Sequence, residues 1–202
     1  MFRFDANYHL KNEVAELIPL QLDQEEFLYP PSNNDDIWKY FEEQGRGRKA
    51  FRQYFKRALQ KRIDGEEYAF AIKDLRLGEF AGMTRIYAVD NSLRNVKIGH
   101  TWIGKQFQGT GLNKNCKYLL FDFLFDQIKM ERIGFGASSQ NTQSIKAMES
   151  VGCVREGRLR GFLPGTGTLD RIDIVLLSVL KSEWESEGRE KLKRKIGAKI
   201  TE

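Results

Sequence analysis

Residues 105–113 read Lys-Gln-Phe-Gln-Gly-Thr-Gly-Leu-Asn and lie between an apolar, strand-like segment and a long amphipathic helix. Glycine lets the main chain come close to an anion. The unpaired N–H groups in the first turn of a helix point toward that anion, and the helix dipole adds to the attraction. The order of strand, glycine turn and helix therefore predicts a phosphate cradle made of main-chain atoms.

Two common phosphate-binding loops do not fit this segment. A nucleotide P-loop requires Gly-Lys followed by Ser or Thr, and a dinucleotide loop requires G-x-G-x-x-G. Neither occurs within residues 105–113. The segment does contain the pattern Q-x-x-G-x-[G/A], read either from Gln106 to Gly111 with a full match or from Gln108 to Asn113 with Asn in the last place.

This pattern resembles the coenzyme A diphosphate loop of the GNAT acyltransferase superfamily. We favour the register that begins at Gln108, because residues 98–104 and 108–114 together resemble the branch of ribosomal-protein N-terminal acetyltransferases. Residues 141–144, Asn-Thr-Gln-Ser, and residues 151–157, Val-Gly-Cys-Val-Arg-Glu-Gly, extend the resemblance to nearly the whole chain. It implies an acetyl-CoA-dependent N-acetyltransferase that transfers acetyl directly, in a ternary complex, to a protein N-terminal α-amino group or a small amine.

The resemblance also implies which residues contact acetyl-CoA, the co-substrate. The amides expected to hold its diphosphate are those of Gln108, Gly109, Thr110, Gly111, Leu112 and Asn113. The pantetheine arm is expected along the main chain of Trp102, Ile103 and Gly104, with the N–H near Trp102 facing the thioester carbonyl. Asn141 is expected to contact the arm and Ser144 to hydrogen-bond the departing sulfur, the alternative being that one of them only caps a helix.

The acceptor amine needs a route for its proton, because an α-amino group has a pKa of about 8 and a lysine of about 10. The family typically has Glu before Ile-Gly on the strand that leads into the loop, whereas this chain has Lys97. His100, with an intrinsic pKa of about 6.5, is the candidate base acting through water, and a packed or surface histidine is the alternative. Lys97 favours a second hypothesis, a catalytically weak or inactive acyl-CoA-binding protein of the same fold.

Hydrophobic periodicity predicts an α/β (α+β) fold in which a mixed, mainly antiparallel sheet is flanked by helices, in one domain over residues 1–202. Simple alternation in the fourth strand would put Val96, Ile98, His100 and Trp102 on one side. Asp35 or Asp36 is expected to cap the second helix, and residues 164–167 to form a hairpin turn or, alternatively, a substrate-side loop. The predicted strands are 14–20, 67–73, 79–89, 96–103, 132–138, 153–160 and 168–180, and the predicted helices are 22–28, 36–41, 48–62, 110–129, 142–151 and about 183–202.

The composition is that of an ordinary globular protein, with 41% hydrophobic residues and a net charge of +5. We expect a cytoplasmic protein, because no segment has the pattern of a secretory signal or the length of a membrane span. Cys116 and Cys153 are expected to be reduced core residues, and with two histidines a metal site is not expected. The basic residues of the last 14 positions favour a solvated helix face over RNA binding, so no nucleic-acid partner is assigned. Quaternary structure stays open, with a homodimer as one option.

Overall fold

The computed structural model describes residues 1–165 and 171–197. Its centre is one mixed sheet of eight strands in the order β1-β2-β3-β4-β5-β6-β8-β7. Within the described residues, β5 and β6 are the only neighbouring strands that run parallel. The strands are β1 Leu10–Lys11, β2 Ala15–Pro19, β3 Glu67–Asp74, β4 Glu79–Asp90, β5 Asn95–Ile103, β6 Arg132–Ser138, β7 Val154–Pro164 and β8 Arg171–Leu180.

Helices cover both faces of this sheet. The helices are α1 Glu25–Ser32, α2 Asp35–Trp38, α3 Gly47–Ile63, α4 Leu112–Asp122, α5 Thr142–Ser150, α6 Lys181–Glu183 and α7 Arg189–Gly197. A wide π-helical turn at Phe123–Gln127 continues α4, and a second one at Trp184–Gly188 joins α6 to α7. These elements match the predicted fold class.

The two faces of the sheet carry separate apolar clusters, as the two-residue period of a strand requires. On β3, Tyr68, Phe70 and Ile72 face the larger cluster, which includes the apolar side of α4. Ala69 and Ala71 face the smaller cluster, where α3 packs. We call these the α4 face and the α3 face of the sheet. The small side chains of Ala69 and Ala71 on the α3 face leave room for the large aromatic side chains of α3.

The sequence placed most elements within a few residues, but it predicted no strand at β1, Leu10–Lys11. Two local details also differ. The helix after the glycine loop begins at Leu112 and not at residue 110, because Gly111 has a left-handed backbone (φ 87°) and is the N-cap. The cap of α2 is Asn34, whose side chain accepts a hydrogen bond from the Asp36 N–H (3.1 Å), and not Asp35 or Asp36. The second half of the predicted turn at 164–167 and the start of the predicted strand at 168–180 lie outside the described residues.

The basic C-terminal segment is helical from Lys181 to Gly197, as far as the structure describes it. Trp184 and Leu192 are each 1% exposed and belong to the α4-face cluster. The segment therefore packs on the body of the protein through an apolar side, while Lys191, Lys193, Arg194 and Lys195 are exposed. No helix in residues 1–165 and 171–197 is long and apolar enough to cross a membrane.

Candidate active site

The sheet divides between β5 and β6. These parallel strands pair only from Asn95 to Lys97, opposite Arg132 to Gly134. Beyond that point β5 stays paired with β4 as far as Ile103, while β6 stays paired with β8 as far as Ser138. The two strands therefore diverge into a gap that opens toward the glycine loop.

A β-bulge lies on β5 beside this gap. Gly99 is opposite Arg85 and Trp102 is opposite Met83, so two residues of β5 stand against one of β4. His100, one of the two β5 residues in the bulge, has a positive φ of 48°. Such a backbone is strained for a residue with a side chain and is found preferentially at functional sites.

The bulge overturns the simple alternation predicted for this strand. Val96 and Ile98 belong to the α4-face cluster, whereas Trp102 belongs to the α3-face cluster. His100 lies on the α3 face beside Tyr87, with ring centres 5.4 Å apart. Thr101 points to the other face, where its hydroxyl is 2.8 Å from that of Thr84. The extra residue shifts the phase of every side chain that follows it.

The main chain of β5 presents alternate residues to the gap. The Gly104 N–H donates to Ala81 O (2.8 Å), so this end of β5 directs the main-chain groups of Gly104 and Trp102 toward β4. The groups of Ile103, between them, point toward the gap. Of the residues expected to contact the arm, Ile103 therefore directs its main-chain groups toward the gap, whereas the indole of Trp102 is buried against α3.

The glycine loop is held in place by its own side chains. Gln108 Nε2 donates to Ile103 O (2.8 Å), and the Thr110 hydroxyl donates to Phe107 O (2.7 Å). This anchoring favours the motif register that begins at Gln108. Gly109 and Gly111 have φ angles of 74° and 87°, which turn the main chain sharply into the first turn of α4. The amides of Gln108 and Leu112 donate within the loop, to Lys105 O (3.2 Å) and to the Thr110 hydroxyl (3.4 Å).

Arg76, which the sequence analysis missed, braces the loop from the β3–β4 turn. Its guanidinium donates to Thr110 O (3.0 Å) and to both carboxylate oxygens of Asp74. Burial alone would raise the pKa of Asp74, but the hydrogen bonds from Arg76 outweigh it and hold the pKa below its usual value. The paired charges make Arg76 a support for the loop. No motif marked it, because the contact joins residues 34 positions apart.

The N-terminus of α5 lies at the outer end of the gap. Asn141 caps this helix by accepting a hydrogen bond from the Ser144 N–H (3.0 Å), as the capping alternative predicted. Gln143 Nε2 lies 3.4 Å from Gln108 Oε1, linking α5 to the glycine loop across the gap. Two helix N-termini therefore converge on one opening, which suits an anionic, extended ligand.

Comparison with known proteins identifies this arrangement. The family model described as acetyltransferase (GNAT) domain matches residues 16–154. The chain belongs to the GNAT acetyltransferase family. Among its relatives is YdaF of Bacillus subtilis (strain 168), provisionally named a ribosomal N-acetyltransferase, which is 32% identical over 110 residues. That match spans 54% of this chain and 58% of YdaF, so the chain covers less than two thirds of the relative.

Solved structures share the fold of this GNAT protein. A GCN5-related N-acetyltransferase from Brucella melitensis superposes with a TM-score of 0.87 at 20% identity, over 96% of this chain and 87% of the other. The spermidine N-acetyltransferase of Vibrio cholerae, solved in complex with CoA and spermine, superposes with a TM-score of 0.70 at 19% identity, over 87% and 100% of the two chains. Proteins of strongly diverged sequence therefore share this fold.

On the α3 face of this GNAT sheet, a cluster of charged and aromatic groups surrounds the bulge. Arg85 is fully buried and its Nη1 donates to Glu67 Oε2 (2.7 Å). Lys61 Nζ donates to the other oxygen of Glu67 (2.6 Å), and His100 Nε2 lies 4.0 Å from that same oxygen. Glu67 was not singled out from the sequence, because its partners are up to 33 residues away and no motif joins them.

The electrostatics of this cluster make His100 a weak base. Burial and then the charge of Arg85 lower its pKa to about 4, although Glu67 acts in the opposite direction. Burial alone would raise the pKa of Glu67, but hydrogen bonds from Lys61 and Arg85 lower it. Lys97, where the family typically has Glu, is exposed on β5. Neutral His100 and anionic Glu67 are thus two groups at the bulge able to accept a proton or hold an ammonium. The carboxylate of Glu43 belongs to the same cluster, 3.7 Å from Arg85 Nη1.

The lowered pKa of His100 predicts part of the acid sensitivity of this protein. His100 takes up a proton near pH 6.5 in the unfolded chain and only near pH 4 in the folded chain. The free energy of unfolding therefore decreases as the pH falls from 6.5 to 4. In His100→Gln that part of the loss should disappear, and the free energy of unfolding should fall less steeply with decreasing pH. Urea titrations of both proteins from pH 7 to pH 4 provide the measurement. Parallel stability curves for the two proteins would show that His100 titrates normally.

Proposed function

We propose that this protein transfers an acetyl group from acetyl-CoA to a primary amine, by direct transfer in a ternary complex. The observation that carries the proposal is the gap between β5 and β6, which ends at a positive-φ glycine loop and the N-terminus of α4. An extended chain ending in a diphosphate fits this combination, because main-chain groups line the gap and a helix dipole lies at its mouth. The neighbour from Vibrio cholerae, crystallised with CoA, supports the choice of ligand.

Different residues of this chain would contact the diphosphate, the pantetheine arm and the sulfur of coenzyme A. Main-chain groups of the glycine loop and the first turn of α4 would hold the diphosphate, and the main chain of Ile103 would contact the pantetheine arm. When bound, acetyl-CoA supplies an acyl group activated as a thioester. Asn141 and Ser144 at the start of α5 would lie beside the arm, where the partly exposed Ser144 offers a hydroxyl to the sulfur.

The α3 face provides the acceptor side of the site. Glu67 would attract and orient the ammonium form of the amine, since a carboxylate beside a cation lowers the energy of both. His100 would take part in proton removal through water. A direct mechanism is favoured because burial raises the pKa of both Cys116 and Cys153 to about 12, which leaves neither thiol as an acyl-accepting nucleophile.

The acceptor is an amine in this proposal, either the α-amino group of a protein or a small amine. YdaF is provisionally named for ribosomal acetylation, and the Vibrio cholerae neighbour for spermidine, so the relatives support both classes. Release of free thiol from acetyl-CoA, measured over N-terminal peptides and polyamines, decides between them. An absence of calorimetric binding of acetyl-CoA would refute the proposal. We place this activity in the cytoplasm, which suits two unpaired cysteines.

A matched pair of glycine variants tests the cradle. Gly109 and Gly65 both have φ 74°, and an added Cβ would meet nothing closer than 3.9 Å in either place. Alanine at each should cost about 1 kcal/mol of stability, because a left-handed backbone is strained for L-residues. Gly109→Ala alone should weaken CoA binding, by about tenfold, since strain there moves the loop. Calorimetry with CoA checks this, and equal affinities in the two variants would place the diphosphate elsewhere.

A second function, weak or inactive acyl-CoA binding, is favoured by Lys97 and by the low basicity of His100. Lys97→Glu distinguishes the two functions. If the native protein binds CoA but releases thiol only after this substitution, the chain is a binding protein whose base has been lost. If the native protein already turns over and Lys97→Glu changes little, the first proposal stands.

A further inference from the structure

Lys117 is a buried lysine on α4, directly beneath the gap. It is 4% exposed, and its Nζ donates to Thr101 Oγ1 on β5 (3.1 Å). On the other side, Nζ lies 5.9 Å from the ring centre of Phe135 on β6. The strands stop pairing at Lys97 and Gly134, before Thr101 and Phe135. The ammonium thus contacts both strands where they have already separated.

No carboxylate compensates this charge in the described part of the chain, where the ion pairs include none with Lys117. The titratable groups that face it are the thiols of Cys116, on the same helix, and Cys153, just before β7. Burial raises both of their pKa values to about 12, so both are neutral near pH 7. From β5 it meets a hydroxyl and from β6 an aromatic ring.

An uncompensated buried ammonium is costly, and an apolar side chain would pack on α4 without that cost. Burial lowers the pKa of Lys117 to about 8, which still leaves most molecules protonated at pH 7. A charge maintained in such a place suits an anion that arrives from outside the chain. In an acyl-CoA site, the anion that forms in the gap is the sulfur of the leaving group.

We propose that Lys117 stabilises the thiolate of coenzyme A in the gap between β5 and β6, an inference that rests on the proposed function. In the transfer, the amine nitrogen forms a bond to the acyl carbon and the carbon–sulfur bond breaks. The electron pair of the broken bond stays on sulfur, next to the ammonium. The proton of the acceptor leaves to solvent on the α3 face. Lys117 therefore changes neither its bonds nor its charge.

This role differs from the one proposed for Ser144. A serine hydroxyl supplies one neutral hydrogen bond, whereas a cation in a dry site lowers the pKa of a neighbouring acid by about one to three units. The two contributions separate in the acidity of bound CoA. If Lys117 acts as proposed, the pKa of the thiol of bound CoA should lie at least about one unit below its pKa in solution.

The test is an ultraviolet titration of the CoA thiol bound to the native protein and to Lys117→Met. Thiolates absorb in this range, and subtracting the same titration with desulfo-CoA removes the signal of the protein. The native complex should show the lowered thiol pKa, and Lys117→Met should lose the shift. Thr101→Val, which keeps the lysine but removes the hydroxyl that orients it, should lose part of it. Lys56→Met, at an exposed position of α3, controls for net charge and should leave the titration unchanged.

The outcomes separate this inference from the proposed function. If Lys117→Met binds desulfo-CoA like the native protein but its CoA thiol titrates at the native pH, Lys117 is a structural residue and the inference is wrong. If the native protein binds neither CoA nor desulfo-CoA, the proposed function fails first. Acetylation of Lys117 itself after incubation with acetyl-CoA, detected by mass spectrometry, would also overturn the inference, because the lysine would then be a nucleophile.

Discussion

Replacing Arg85 with methionine is expected to lower the free energy of unfolding by about 3–5 kcal/mol. Arg85 is completely buried, its Nη1 bonds to Glu67 (2.7 Å), and its guanidinium lies 4.4 Å from the ring centre of Tyr54. Methionine fills much of the volume but removes the charge, so the Glu67 carboxylate loses its most buried partner. Urea unfolding followed by circular dichroism measures the change.

The Arg85 prediction has a second readout in the same protein. Because Arg85 is the second cause of the low pKa of His100, after burial, the variant should show a higher His100 pKa by NMR titration. The control is Arg85→Met combined with Glu67→Gln, which removes both charges and should recover part of the stability. Exposed ion pairs contribute up to about 1 kcal/mol. If Arg85→Met lowers the free energy of unfolding by less than this, the buried ion pair contributes no more than a surface one.

Gly82→Ala is expected to destabilise the protein by about 3 kcal/mol or more. Gly82 lies on β4 opposite Ile103, and a Cβ there would stand 2.1 Å from Trp102 O. A main-chain atom cannot swing away as a side chain can, so β5 would have to move. The displaced segment leads into the glycine loop, and CoA affinity should fall together with stability. Thermal unfolding and calorimetry measure the two losses.

A matched control for Gly82 exists on β7. Gly157 also lies on a strand, but a Cβ added there meets no atom within 4 Å. Gly157→Ala should leave stability within about 0.5 kcal/mol of the native value, as surface substitutions usually do. Equal losses in the two variants would attribute the effect to glycine in strands generally and not to the close approach of β4 and β5.

Elements with strong periodicity were the ones that the sequence predicted well. The strand at Arg132–Ser138 and the helix at Gly47–Ile63 follow from apolar spacing that no tertiary contact has to correct. The glycine loop was recognised because its residue types are set by backbone geometry at Gly109 and Gly111. In these places local sequence and local structure carry the same information.

The acceptor side could not be predicted in the same way. The bulge at His100 depends on how two strands pair, and nothing in residues 96–103 marks an extra residue. Glu67 and Arg85 meet across two strands, 18 positions apart. Helical periodicity places Lys117 outside the apolar stripe of α4 and so predicts an exposed residue. It is buried because α4 packs beneath the gap.

If coenzyme A binds as proposed, the divergence of β5 from β6 ties the stability of the fold to this ligand. An extended carrier arm lying between these strands would complete the sheet as a short ninth member. Anything that binds only the folded state adds to its stability, by about 2.7 kcal/mol at a hundredfold excess over the dissociation constant. When the carrier becomes scarce in the cell, more chains would open and reach proteases. The amount of this protein would then rise and fall with the supply of coenzyme A, without any dedicated sensor.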